Sequence, residues 1–304
     1  LTVGTRGSRL SIIQTESVVE AIKRHNRTVE VETRVIKTTG DKLESEPLPL
    51  ISGKGVFEKE IDEAIINGEV DFGVHSMKDV PADQPEGLVI AAIPERAPPN
   101  DVLISQSLSK LNDLPVGATV GTSSPRRTAE LLRVRPDLNV QSIRGNIDTR
   151  IRKLDSGIYD AIILAEAGLT RMGMQKRIVE RLPIEDFTPA PGQGFLAVMA
   201  RRDRENVLEV LRPVNDPSSW AEAIAERSFM RAVGGGCKIP IGAFAQAEGE
   251  TVKLLGSIIS PDGARRIDIV EQGDVKHPED TGKTAANRIL RMGAGELTRT
   301  WSKP

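Results

Sequence analysis

Two stretches of this chain repeat one another, and the repeat limits the fold more than any other feature. "VGTRGSRLSIIQ" begins at Val3 and "VGTSSPRRTAELL" at Val120. Each reads as a strand ending in Val-Gly-Thr, then serine and arginine, then a helix. Pro125 suits the first turn of the second helix, where a missing N–H is no loss. Further along, "IINGEVDFGVHSMKDV" (65–80) echoes "LDSGIYDAIILAEAGL" (154–169): a helix end, a glycine, two residues, an aspartate and an apolar strand. Gly68 and Gly157 stand where a helix C-terminus favours a left-handed residue. The runs after them are short and apolar, as strands of buried parallel sheets are. The pattern predicts two similar βαβ domains.

"ERAPPND" (95–101) and "TPAPGQG" (188–194) are rich in proline and glycine and read as crossings between those domains. Two crossings imply that the chain returns to the first domain after building the second. That is the build of a hinged two-domain α/β binder, with ligand in a cleft between helix N-termini and strand ends. After "RPVNDPSSW" the pattern changes to a helix in "SWAEAIAERSFMRAV", strands in "TVKLLGSIIS" and "RRIDIVEQ", and a helix near "KTAANRILRMGAGEL". A small α+β third domain is expected there. The predicted division is 1–96 with 194–214, then 97–193, then 215–304.

Composition narrows the partners. In 304 residues, 41 Lys and Arg face 43 Asp and Glu, a formal net charge of −2 without a charged tail. Neither nucleic acid nor a membrane is an expected partner. No apolar run approaches the ~20 residues of a membrane span, and a cytoplasmic setting is expected. The single cysteine rules out an intramolecular disulfide and a CxxC zinc site, while His25, His75 and His277 lie far apart. No metal is expected.

Arginine is dense from 126 to 152. Arg133, Arg135 and Arg152 read as solvated surface. Arg126 and Arg127 at a helix start oppose the macrodipole, a placement that makes sense beside an anion. Arg144 and Arg150 in "IRGNIDTR" offer further planar forks for carboxylates or phosphates. In "VHSMKDVP" a predicted strand ends and His75, Ser76, Lys78 and Asp79 follow, where open α/β folds place reacting groups. "ISGKGVFEKEID" sets Lys54 between glycines, then Phe57, without phosphate-loop spacing. "AVGGGCKIPIGAF" holds Cys237 behind Gly234, Gly235 and Gly236, which let backbone pass close to a bulky neighbour. The thiol is either inert and buried or placed to react. A binding module without chemistry would share the two hinged domains. A phosphoryl-transfer enzyme would need a carboxylate metal cluster, which the sequence lacks.

In this order, "VGTRGSRL", "GKGVFEKE", "VHSMKDVP", "VGTSSPRR", "RGNIDTR", "YDAIILAEAGL" and "GGGCKIPIG" resemble the porphobilinogen deaminase family over nearly the whole chain. The resemblance implies two periplasmic-binding-protein-like βαβ domains with a central cleft, a C-terminal domain, and a monomer. It implies a transferase of heme biosynthesis that joins four porphobilinogens head to tail into hydroxymethylbilane, a linear tetrapyrrole, releasing ammonia. A dipyrromethane cofactor would hang from Cys237 by a thioether. Asp79 would be the catalytic carboxylate. Lys78, Thr122, Ser124, Arg126, Arg127, Arg144 and Arg150 would hold the cofactor, and Arg6, Ser8, Lys54, Phe57 and Gln193 the substrate. Pro125 and Lys238 depart from the common Leu and Gln of relatives. The implied chemistry passes through a methylene-pyrrolenine cation once ammonia departs.

Overall fold

In the computed structural model, residues 1–38, 58–234 and 240–297 are described. The chain divides into two compact units, Leu1–Ala97 with Gly194–Trp220, and Pro98–Gln193 with Ala221–Pro304. The first unit lays down β1 (Thr2–Arg6), β2 (Glu32–Ile36), β3 (Phe72–Ser76) and β4 (Leu88–Ala92). The second adds β5 (Asp101–Ser105), β6 (Thr119–Gly121), β7 (Asn139–Gln141), β8 (Ala161–Ala165) and β9 (Glu180–Arg181). The chain then returns to the first unit as β10 (Leu196–Arg201). It ends in the second with β11 (Ile241–Glu248), β12 (Thr251–Ile259) and β13 (Arg266–Asp274).

The first sheet runs β2-β1-β3-β10-β4 and the second β7-β6-β8-β5-β9. They follow one plan. A central strand, β1 or β6, pairs in parallel with both neighbours. One antiparallel strand is inserted toward the far edge, β10 in the first sheet and β5 in the second. Each inserted strand is the first made after a crossing. The sequence reading of parallel βαβ units therefore holds for three strands of each sheet, and the sheets as a whole are mixed.

The repeat persists at the level of atoms. Gly68 (φ +74°) and Gly157 (φ +76°) end their helices alike. The Gly68 N–H donates to Ile65 O and the Glu69 N–H to Ala64 O; the Gly157 N–H donates to Leu154 O and the Ile158 N–H to Lys153 O. These paired bonds satisfy carbonyls that the helix leaves open. The aspartate three residues on has a structural task in both copies. Asp71 Oδ2 accepts the Thr2 N–H at 2.8 Å, and Asp160 Oδ2 accepts the Thr119 N–H at 2.7 Å, fixing where β1 and β6 begin.

Cores lie against the sheets. In the first unit Phe72 packs with Val3, Val18, Ile22 and Val198, all buried. In the second, Ile163 of β8 faces Leu103, Leu131 and Phe187, while Ile162 and Leu164 face Ile104, Ile151 and Tyr159. Burial on both faces accounts for the unbroken apolar run of β8. Strands β11 to β13 form an antiparallel meander, covered by Phe229 of the Pro217–Ala232 helix and by Ala285 and Ile289 of the Pro278–Ile289 helix. Each such large side chain contributes ~1.5–3 kcal/mol by leaving water. The sequence reading passed over β11, whose inward residues include Ala243 and Ala245. Alanine has little strand preference, so the pattern was faint.

Candidate functional site

In the first unit, Arg6 ends β1 and Ser8 caps the Arg9–His25 helix, its Oγ accepting the Ser11 N–H at 3.2 Å. Gln14 of that helix donates from Nε2 to Ser76 Oγ at 3.0 Å, tying it to the end of β3. The chain then makes a single 3-10 turn, Met77–Asp79. Met77 is buried, and its N–H donates to Phe195 O at 3.0 Å. Anchored this way, the turn leaves Lys78 half-buried and Asp79 exposed. Glu58, just ahead of the Lys59–Ile66 helix, is only 4% exposed. With Asp62 and His75 it lines a cavity closed by Val80 and Pro81, next along the chain from Asp79. Burial, then the charge of Asp79, push the Glu58 carboxyl up to about 8; Asp62 adds to this, while its own backbone N–H and Arg6 pull against it.

In the second unit Ser124 caps the Pro125–Val134 helix through the Arg127 N–H, with Pro125 at the first position as expected. Thr122 Oγ1 accepts the Ser124 N–H at 3.2 Å. The anion that Arg126 and Arg127 called for is internal. Arg126 Nη2 donates to Asp101 Oδ2 at 2.7 Å and its Nη1 to Glu130 Oε2 at 2.6 Å. Arg127 reaches Asp101 Oδ1 through Nε and Nη2. Gln193 joins them, its Nε2 donating to Asp101 Oδ1 at 2.9 Å and to Pro99 O at 2.6 Å. Burial works against the Asp101 carboxylate, yet the two guanidiniums hold its pKa far below the usual range.

Arg150 is placed differently. Its Nε donates to Gly145 O at 2.7 Å, and burial, followed by the like charge of Arg127, lowers its pKa. Arg171, which the sequence reading passed over, is pushed down to about 10 by burial. Arg150 would gain from a carboxylate nearby. Arg144 is exposed, apart from the Asp101 cluster. Arg135, read as solvated, instead bridges Asp137, Leu111 O and Leu114 O. Lys54, Phe57 and Cys237 lie outside the described residues. Among the described residues, no three His, Cys, Asp or Glu side chains group as metal ligands do. No helix among them is long and apolar enough to cross a membrane.

Residues 1–209 match the family model described as "Porphobilinogen deaminase, dipyromethane cofactor binding domain", and residues 220–291 match its C-terminal domain. The chain belongs to the porphobilinogen deaminase family. The porphobilinogen deaminase of Rubrobacter xylanophilus is 46% identical over 297 residues, covering 98% of this chain and 96% of that one. That of Desulforudis audaxviator is 44% identical over 295 residues, covering 97% and 96%. That of Bacillus subtilis is 44% identical over 297 residues, covering 97% and 94%. Among solved structures, the periplasmic VFT2 domain of Bordetella pertussis BvgS superposes with a TM-score of 0.43 at 14% identity, over 70% of this chain and 86% of that one. As a porphobilinogen deaminase the protein forms hydroxymethylbilane for tetrapyrrole biosynthesis, with a dipyrromethane cofactor.

The residues present suit that cofactor, whose two pyrrole rings carry carboxylates and N–H donors. Arg150 is a cation whose charged form burial disfavours, and an anionic ring substituent would restore the balance. Asp79, in the first unit, is an exposed carboxylate. Glu58 and Asp101 carry much of the electrostatics but were not singled out in the sequence. Glu58 is hidden among Lys59 and Glu60 in an ordinary-looking helix start. Asp101 is 25 residues from its nearest arginine partner in sequence.

Proposed function

We propose that this deaminase reacts its substrate at Asp79 and carries its cofactor on Cys237. The observation that supports the first assignment is the turn after β3, which holds an exposed aspartate on a buried methionine anchor. Porphobilinogen loses ammonia and leaves positive charge spread over its pyrrole. A fixed carboxylate about 4 Å away favours that charge by roughly 4 kcal/mol at an effective dielectric of 20, with little reorganisation. Asp79 also takes the proton that the new ring junction releases, a role worth ~10² to 10⁴ in rate. Arg6, Ser8, Lys54, Phe57 and Gln193 bind substrate in this reading. Lys78, Thr122, Ser124, Arg144 and Arg150 face the cofactor carboxylates. Arg126 and Arg127 support them through Asp101.

When bound, the dipyrromethane supplies a free pyrrole α-carbon as the starting point for chain growth. The single cysteine supports Cys237 as its attachment and fits a reducing, cytoplasmic compartment. The test is intact mass followed by peptide mapping. An adduct of two pyrrole units on Cys237, absent together with activity from folded Cys237→Ala, is the expected result. Turnover by Cys237→Ala at the normal rate would sink the assignment. Sedimentation checks the monomer expected from the resemblance.

A further inference from the structure

The cavity lined by Val80 and Pro81, next along the chain from the Met77–Asp79 turn, brings three acid–base groups together, Glu58, Asp62 and His75, with no room for a water molecule. Glu58 is 4% exposed, Asp62 8% and His75 5%. His75 Nε2 stands 3.4 Å from Asp62 Oδ1, and neither atom makes a hydrogen bond. Two carboxylates in so dry a space cannot both ionise at ordinary cost. Glu58 is the more closed of the two, so the proton belongs there. Among the described residues, charge reaches Glu58 from Arg6 of β1, from Asp62 of the helix that follows it and from Asp79 of the turn, while His75 of β3 lines the same cavity.

We infer that Glu58 is a positioning residue of the substrate site, holding its proton so that no second negative charge stands beside Asp79 where the carboxylates of porphobilinogen approach. The inference rests on Asp79 as the reacting carboxylate. Loss of the Glu58 proton to solvent leaves a carboxylate that repels the dicarboxylate substrate and draws on the positive charge of Arg6. The elevated proton affinity of Glu58, at about 8, agrees with this and sets the range in which the effect is seen.

The experiment measures kcat and KM for porphobilinogen from about pH 6.5 to about 9.5 with wild-type holoenzyme and Glu58→Gln, which copies the neutral acid. In the wild type KM rises on the order of fivefold through about pH 8, in the lower range of couplings between two sites. In Glu58→Gln that rise is gone, and kcat is not the parameter that separates the two proteins. A KM rise of equal size in both overturns the inference. Infrared titration of each holoenzyme without substrate gives a readout independent of turnover. The carbonyl stretch of a neutral carboxylic acid fades through about pH 8 in the wild type and is missing from Glu58→Gln. Identical spectra overturn the inference. Should Asp79→Asn turn over like wild type while the Glu58 band still titrates, it is the reading of Asp79 that falls, and the KM comparison still decides for or against Glu58.

Discussion

Arg127 donates from both Nε and Nη2, at 3.1 and 2.7 Å, to the same oxygen of Asp101, a carboxylate with no exposed surface. The other oxygen is left to Arg126. Removing one member of a buried pair strands the opposite charge and costs about 3–5 kcal/mol. Asp101→Ala is therefore expected to lose that much stability in urea unfolding. Arg126→Leu and Arg127→Leu should lose comparable amounts, so any failure of theirs to load cofactor follows from a weakened fold as well as from a missing ligand. A loss under about 1 kcal/mol for Asp101→Ala would show that the network contributes little.

Asp79→Asn keeps the shape of the turn and removes its charge. Single-turnover condensation should slow by roughly 10² or more when cofactor content is matched by mass spectrometry. Asp79→Glu moves the charge by one methylene and should retain more activity than Asn. Equal rates for Asn and wild type would mean that another carboxylate does the work.

The proton on Glu58 also links stability to pH. An ordinary glutamate value is 4.5, and the fold raises it to about 8, so the native state binds this proton more tightly than the unfolded chain. The contribution is complete below about pH 4.5 and is lost as pH rises through about 8, at a slope of up to ~1.4 kcal/mol per pH unit. Glu58→Gln has no such proton to lose. Its unfolding free energy should gain on that of wild type between about pH 5 and about pH 8, and parallel curves would contradict this.

Gly263, with φ +74°, lies in the turn between β12 and β13. A Cβ there would sit 2.4 Å from Ala129 O and 2.7 Å from the Arg133 backbone N, both in the Pro125–Val134 helix. Because backbone cannot yield as a side-chain tip can, Gly263→Ala combines strain with a clash and should cost about 2 kcal/mol or more. Thermal unfolding measures it, and an unchanged midpoint would show that the turn can move away.

Local signals made much of this legible in the sequence. Ser124 and Pro125 mark a helix start, Gly68 and Gly157 mark helix ends, and the strands of the repeat follow, because caps and turns depend on residues a few positions apart. What the sequence hid is long-range. The need of Arg126 and Arg127 for an anion was readable, but not that Asp101 supplies it, since the two segments meet only after β5 pairs with β8. Asp71 and Asp160 were visible as a repeated aspartate and invisible as clamps on Thr2 and Thr119. Glu58 owes its character first to burial and then to the charge of Asp79, 21 positions on, which no neighbour in the sequence announces.

The position of β10 between β3 and β4 bears on how the protein is born. Among the described residues, strand β4 has its sheet partner only in β10, and Arg201 pairs with Leu88 at the end of that ladder. A nascent chain leaving the ribosome thus carries an open first sheet throughout synthesis of the segment that forms the second, whose five strands are already complete at Arg181. The second sheet can close before the first, although it is made later. Truncations ending between Ala92 and Leu196 would leave β3 and β4 as bare edges, the kind of exposed strand that recruits other chains.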